Sequence, residues 1–537
     1  MKKNKMFVAD SVIRIKQYFL FILVSLFCSN TIAQSKDWLH KDLYLDGIFG
    51  VSTERAYNSF LTKKNLLPVI VAVIDSGIDT THENLKSSLW VNAREVPGNG
   101  IDDDNNGYID DIHGWNFNSV NAIGNVIQED IACVLRTDKE KYDSLANVLV
   151  SEKDKLGYQR YRLVQNVYYE FYGQVKKFLI KAIEIKELLE WVQNETKNES
   201  PSLDEVKKLM TEDNKKGIVN IVALLDKGKS FKQIFDIWNE QCSLLEWQMN
   251  FGLSLKKNII PRRIGDTVRK GYGDNNIQEG DIYPFWDIYH GTHVAGIIGA
   301  RRKNNAGMDG VSVNAVIMPI KICAPFREPN DQSLADAIRY AVDNGAKIIN
   351  MSFGKPYTYN KQVVDDAVKY AMDHDVLIVH AAMNKGVNLD ITSHFPNKIY
   401  NNGEEAHAWL EVGASAWKDD STLVAPFSNY GQASVDVFAP GQRIFSTIPA
   451  SRFDFDDGTS MAAPVVSGIA AVIRGCFPDL TAIQVKNLIM KSVVRVNHNV
   501  EVRNEYGQLL VLPFSEICKS GGVVNMFSAL KMVNVDN

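Results

Sequence analysis

Three residues of this sequence stand where a carboxylate, an imidazole and a hydroxyl could meet: Asp75, His290 and Ser460. Val69 to Ile74 is an apolar run, too short for a helix and rich in β-branched residues, which predicts a buried parallel strand. Asp75 closes that run and Gly77 lets the backbone turn sharply, so the carboxylate falls at a strand end, where ligands and reacting groups gather in open α/β sheets. His290-Gly291-Thr292-His293-Val294-Ala295-Gly296 opens a helix of small residues running through Ala300, with the His290 imidazole exposed at its start. Gly458-Thr459-Ser460-Met461-Ala462-Ala463-Pro464 opens a second apolar helix through Ala471. Ser460 is expected at its N-cap, and Pro464 in a first turn where a missing N–H costs nothing. A hydroxyl at that position suits chemistry, because free amides and the positive helix end stabilise a developing oxyanion. Capping alone would explain an isolated serine; the order Asp, His, Ser, each in glycine-bearing surroundings, points to nucleophilic catalysis.

The elements that must hold these groups read as alternating strands and helices. Ala346 to Met351 and Val376 to Ala381 resemble the first strand in length and composition, and Ser333 to Asn344 and Lys361 to His374 carry helical periodicity. Such repetition predicts a doubly wound, mainly parallel α/β sheet. Two further motifs follow strands: Asn350-Met351-Ser352-Phe353-Gly354 and His380-Ala381-Ala382-Met383-Asn384, so three strand ends could converge on one cleft. Between Glu129 and Leu255 the pattern changes. Val164, Tyr168, Phe171, Val175, Phe178, Ala182, Ile185, Leu189 and Val192 follow alternating four- and three-residue steps, a heptad seam on one long helix. Ser202 and Glu205 form a capping box for a returning helix, and Phe231, Ile234, Trp238 and Leu245 offer it an apolar face. The expectation is an inserted helical hairpin or small bundle at 129–255, interrupting a domain made of 34–128 and 256–537. It could be a packed structural insertion or a lid, exosite or docking arm.

Composition narrows the function classes. Fifty-nine Lys and Arg against 64 Asp and Glu give a net charge of −5, which leaves no electrostatic footprint for nucleic acid. Residues 1–33 carry lysines and arginines, then an apolar run from Tyr18 to Phe27, then Thr31-Ile32-Ala33, the order of a secretory signal cleaved after Ala33. The apolar run is shorter than the ~20 residues of a membrane span, although an N-terminal anchor is the alternative reading. An exported, periplasmic or secreted protein, off the membrane once the signal is removed, is expected. Six scattered cysteines, one of them in the leader, form no disulfide framework and no metal-ligand spacing, so buried free thiols are expected.

Taken together, these motifs resemble the subtilases. The resemblance covers Asp75-Ser76-Gly77, the His290 to Gly296 motif, Ala382-Met383-Asn384, Phe427-Ser428-Asn429-Tyr430-Gly431, Val435 to Gly441 and the Gly458 to Pro464 motif. It implies a subtilisin-like fold from about Leu66 to Asn525, apart from the insertion, and a serine endopeptidase acting on polypeptides with no cofactor in the chemistry. On that resemblance, Ser460 attacks the peptide carbonyl, His290 moves the proton and Asp75 orients the imidazolium. Asn384 and the Ser460 amide bind the oxyanion, and Ser352, Phe353 and Gly354 form the strand along which substrate lies. The family usually has glycine where Met383 stands, so the pocket for the side chain at the cleaved bond is expected to be narrowed, favouring small or medium residues.

Asp102, Asp104, Asn106 and Asp110 place oxygens at alternate positions around Gly107, as calcium loops do. The twelfth-position glutamate is absent, and an Asx-rich solvent turn is the competing reading. Some forty residues separate Ala33 from Asp75, too few for the propeptide domain common in secreted relatives. A catalytically silent scaffold that binds partners through the insertion, and a processing enzyme that uses it as a selector, remain as alternatives. A monomer is expected, with the insertion as the surface for any association.

Overall fold

The computed structural model describes residues 35–62, 64–117, 129–143, 150–151, 154–211, 214–226, 230–256, 273–278, 288–303, 307–323, 329–504 and 506–535. The expected secretory signal lies outside them. In chain order the strands are β1 (Val69–Asp75), β2 (Trp115–Asn116), β3 (Ala315–Lys321), β4 (Ile348–Met351), β5 (Leu377–Ala381), β6 (Trp409–Ser415) and β7 (Val437–Pro440). They continue with β8 (Ile444–Ile448), β9 (Arg452–Asp456), β10 (Val494–Arg495), β11 (Asn499–Arg503), β12 (Leu509–Pro513) and β13 (Gly522–Val523). Among the described residues nine of these form one sheet in the order β10-β13-β7-β6-β5-β4-β1-β3-β2, parallel except for the β10–β13 pair.

The three apolar runs read from sequence are β1, β4 and β5, adjacent in the sheet in the order β5-β4-β1. Their continuous apolar character follows from burial on both faces, and β6 is likewise buried at every residue. The Tyr289–Gly299 and Thr459–Cys476 helices pack against one another and against the sheet. The Lys361–Asp373 helix instead shows one apolar stripe, Val364, Ala367, Val368, Ala371 and Met372, and packs against Asp331–Asp343. Among the described residues only Thr459–Cys476 is long and apolar enough to cross a membrane, and 89% of it is buried inside the protein, so it is the central core helix.

The 129–255 segment is helical. A 42-residue helix, Lys155–Thr196, packs against the Asp130–Tyr142 and Phe231–Trp247 helices. The Ser202–Glu205 capping box forms as read, and Ser230 with Gln233 makes a second one. Val164, Tyr168, Val175, Ala182, Leu189 and Val192 are buried along the seam. Phe178 departs from it, being 40% exposed, while Leu179 packs inward. A strict heptad drifts by ~20° per repeat on a straight helix, which carries one position of a long seam off the buried face.

The segment before β1 is part of the main core: Trp38, Leu39 and Val51 are buried in it, and the Trp38 indole donates to the Arg443 carbonyl at 3.2 Å. Cys133, Cys242 and Cys518 are buried, as expected of the cysteines, whereas Cys323 and Cys476 are only half-buried.

Candidate active site

The sheet order reverses at β1, whose neighbours are β3 on one side and β4 on the other. Crevices outside the carboxyl ends of such strands are where open α/β sheets bind ligands. Asp75, the last residue of β1, occupies that position, and its Oδ1 accepts from the Ser76 amide at 2.7 Å and from His290 Nδ1 at 2.8 Å. Gly291 makes the approach of helix to strand feasible, since a Cβ there would fall 2.1 Å from the Gly77 carbonyl oxygen. Burial alone would lower the pKa of His290, but the charge of Asp75 and the hydrogen bond to it, helped by Asp456, hold it above the ordinary histidine value. The His290 side chain is 36% exposed, so its other edge faces solvent. His293, one turn further on, is fully buried, and that burial, aided by the His290 charge, pushes its pKa down to about 3. It is a neutral packing residue.

Ser460 is the second residue of its helix and not the N-cap, which is Gly458. Its hydroxyl donates to the Ser352 carbonyl at 2.9 Å, and the Ser352 hydroxyl donates back to the Ser460 carbonyl at 2.9 Å. Pro464 explains the exchange. It lies inside the helix, beyond the first turn expected from sequence, and has no N–H for the Ser460 carbonyl, which Ser352 takes instead. Asn350 donates to the Ser352 hydroxyl and accepts from Ser467, both at 2.9 Å, so β4 and the serine helix share one chain of hydrogen bonds. The Ser460 hydroxyl therefore points to Ser352 and makes no hydrogen bond to His290, although the two helices pack together. Catalytic hydrogen bonds in substrate-free structures are often long and tighten on binding.

Asn384 follows β5, and its Oδ1 accepts from both the amide and the hydroxyl of Thr459 at 2.9 Å each. An amide N–H can only donate, so the oxygen of Asn384 is fixed towards Thr459 and its NH₂ is left to face the open side. Met383 holds a left-handed backbone, φ 74°, which is uncommon for a residue with a side chain. Its sulfur covers Gly354 so closely that a Cβ at 354 would fall 2.4 Å from Sδ. Asp75, His290, Ser460, Asn384, Ser352, Gly354 and Met383 are thus assembled around the ends of β1, β4 and β5 by contacts among them or their immediate neighbours.

Two buried ionic groups behind the 352–355 segment were not apparent in the sequence. His380 lies directly across the β5–β6 pairing from Glu411, with Nδ1 2.9 Å from Oε1, and its Nε2 is 2.8 Å from the Phe353 carbonyl. Both ring nitrogens of His380 are thus engaged, one by the Glu411 carboxylate and one by the Phe353 carbonyl. Burial would raise Glu411, but His380 and His394 hold its carboxyl well below the usual range, and the Trp409 indole donates to its second oxygen at 2.9 Å. The donor atoms of His380, His394 and Glu411 lie within 4.8 Å of one another. Both imidazoles direct a nitrogen at Oε1 itself, which fits a hydrogen-bonded ion pair better than a cation cage. The second group, around Lys355, is treated below.

In the acidic loop, Asp102 and Asp104 come together with Glu95, their oxygens within 4.8 Å of one another. This carboxylate set fits a hard cation. Asn106 lies between them, its amide bonded to Asp102 and Asp104 at 3.0 and 3.1 Å and its side-chain oxygen accepting from the Tyr108 amide. Asp110 is engaged elsewhere: its carboxylate accepts the amides of Gly98, Asn99 and Gly100, bracing the preceding turn, and Glu95 stands in the carboxylate cluster instead.

Comparison with known proteins adds the following. A family model described as the subtilase family matches residues 68–508. Subtilisin DY of Bacillus licheniformis is 34% identical over 249 residues, 46% of this chain and 85% of that protein. The cell wall-associated protease of Bacillus subtilis (strain 168) is 34% identical over 233 residues, and the thermophilic serine proteinase of Bacillus sp. (strain AK1) is 37% identical over 217. These two alignments take in 42% and 38% of this chain but only 24% and 47% of the relatives' own lengths. Among solved structures, a protease of Pseudoalteromonas arctica PAMC 21717 aligns with a TM-score of 0.37 at 25% identity, covering 45% of this chain and 70% of that one.

Proposed function

This chain belongs to the subtilase family, and from that premise we propose that it is an exported serine endopeptidase that hydrolyses peptide bonds of polypeptides through Asp75, His290 and Ser460. The observation that carries the reading is the Asp75–His290 hydrogen bond at the carboxyl end of β1, beside a serine in the first turn of a packed helix. Because Nδ1 is engaged by Asp75, Nε2 is the base. In the proposed reaction the Ser460 hydroxyl leaves the Ser352 carbonyl and attacks the substrate carbonyl carbon while its proton passes to Nε2. The tetrahedral oxyanion accepts hydrogen bonds from the Asn384 NH₂ and the Ser460 amide. Collapse expels the amine, which takes the proton from Nε2, and leaves an acyl-enzyme; water then reverses these roles and frees the acid.

Substrate would pair as an added strand along Ser352, Phe353 and Gly354. Met383 over Gly354 narrows that side of the cleft, which supports a preference for small or medium residues at the cleaved bond. Glu95, Asp102 and Asp104 would hold a structural calcium ion, which takes no part in the reaction. The leader-like residues 1–33 support export, and the nearly even charge argues against nucleic acid as a partner.

Digestion of a denatured protein, with Ser460→Ala as control, tests the reading. Cleavage after alanine, serine, valine or leucine by the parent and none by the variant is expected. Equal fragments from both would refute the role of Ser460, and fastest cleavage after tryptophan or phenylalanine would refute the role of Met383.

A further inference from the structure

A buried ion cluster joins the helical insertion to the substrate side of the cleft. Lys355 follows Gly354 directly, and its Nζ lies 2.5 Å from Asp130 Oδ2 and 2.9 Å from Asp331 Oδ1. The three side chains are 6%, 9% and 4% exposed. Asp130 is the first residue of the Asp130–Tyr142 helix and so belongs to the insertion; its Oδ2 also accepts the Asp331 amide at 2.8 Å. The second oxygen of Asp331 accepts from the Thr358 hydroxyl and from the amides of Tyr359 and Asn360, each at 2.7 Å. Tyr357 is buried in the insertion's own apolar cluster, with Ile131, Leu135 and Tyr161. On the opposite side, the backbone of Lys355 exchanges two 2.8 Å hydrogen bonds with Phe395. Both ends of the insertion meet at this point, since the Glu129 amide donates to the Gly252 carbonyl at 3.0 Å.

Residues 352–360 therefore run without interruption from the hydrogen-bond partner of Ser460 to the base of the insertion. Lys355 and the two aspartate side chains, buried together, tolerate little rearrangement, because separating any of them leaves a charged or polar group out of water without its partner. The placement of Asp130 and the placement of the Ser352–Gly354 backbone are thus mechanically linked.

Building on the peptidase reading, we infer that the insertion is a working part of the substrate cleft, and that Lys355 is the positioning residue tying the strand that pairs with an extended polypeptide to Asp130 of the insertion. The consequence is selectivity by length. A polypeptide long enough to pair along 352–354 depends on the link, whereas a single-residue ester, which reaches only Ser460 and its neighbours, does not.

Asp130→Asn keeps an acceptor for Lys355 and for the Asp331 amide while removing the carboxyl; Lys355→Met removes the link outright. Steady-state kinetics with an extended peptide and with a single-residue ester, together with hydrogen exchange at the 352–355 amides, test the inference. The expected result is a KM for the extended peptide raised about tenfold or more in Lys355→Met, the size of effect that small misplacements in a cleft produce. Its kcat and the ester kinetics should stay within about twofold, and Asp130→Asn should shift the peptide KM in the same direction by less. Faster exchange at 352–355 is expected in both variants. Equal changes for peptide and ester, or unchanged exchange in Asp130→Asn, would overturn the link. If Lys355→Met does not fold, Asp130→Asn alone decides it. A parent that cleaves neither substrate would refute the peptidase reading, and the exchange measurement, which needs no activity, would still decide whether insertion and strand are coupled.

Discussion

Asn384→Ala and Asn384→Asp remove the same proposed oxyanion donor but leave different structures behind. The side-chain oxygen of Asn384 accepts two hydrogen bonds from Thr459, whose side chain is fully buried. Alanine leaves both donors without that acceptor, and an unsatisfied buried donor costs about 1–3 kcal/mol. Asn384 is itself exposed, so water can reach part of the vacated space, and the lower end, about 1–2 kcal/mol of destabilisation, is expected. Aspartate supplies the same acceptor and should leave stability within about 0.5 kcal/mol of the parent. Both lose the NH₂ donor, a loss that costs about 10²–10³ in kcat for one side-chain donor in subtilisin, or about 2.7–4 kcal/mol. Aspartate also places a negative charge beside the developing oxyanion and should be the slower of the two. Peptide hydrolysis and thermal unfolding, measured in parallel, separate these terms. An alanine variant losing less than about tenfold in kcat would refute the oxyanion role, and equal destabilisation by both substitutions would refute the anchoring by Thr459.

Further expectations follow from the same geometry. Asp75→Asn removes the charge that holds His290 above its ordinary pKa, so the acid limb of kcat/KM should move to lower pH while kcat falls by about 10⁴; a limb that stays put would contradict the pairing. The stability contributed by the raised His290 pKa is fully present below the ordinary histidine value and lost as pH rises through the folded one, so the melting difference between parent and Asp75→Asn should shrink towards alkaline pH. Glu411→Gln removes the buried carboxylate that His380, His394 and the Trp409 indole share and should destabilise by about 3–5 kcal/mol. Because the Glu411 carboxyl is depressed, its contribution is present above the usual glutamate range and lost as pH falls, so the Glu411→Gln deficit should narrow in acid and a deficit that widens would refute the pair. A chelator should lower the Tm of the parent and leave that of Glu95→Gln/Asp102→Asn unchanged; an equal drop in both would place any bound calcium elsewhere.

The sheet was legible because parallel strands covered on both faces must be apolar throughout, and β1, β4 and β5 are short enough to exclude a helix. Asp75 and His290 were legible for a related reason: each closes or opens such an element, and their small neighbours mark a close approach. The helix carrying Ser460 starts two residues earlier than capping preference predicts, since that preference alone could not reveal that Ser352 would take the carbonyl freed by Pro464. His380 gave no signal because its partner is fixed only by the register of β5 against β6. Lys355 and Asp130 are 225 residues apart in sequence, and no local pattern announces a pair that forms only when the insertion docks. Glu95 joined the acidic loop from outside the motif for the same reason, while Asp110, inside the motif, was taken by the amides of the turn it braces.

The proposed chemistry rests on the nucleophilicity of one hydroxyl. Treatment of the full chain with a fluorophosphonate, followed by mass mapping of the modified peptide, should give a single adduct on Ser460, strongly slowed in His290→Ala and absent from Ser460→Ala. A folded parent protein with no adduct, or with its adduct on another residue, would contradict the account.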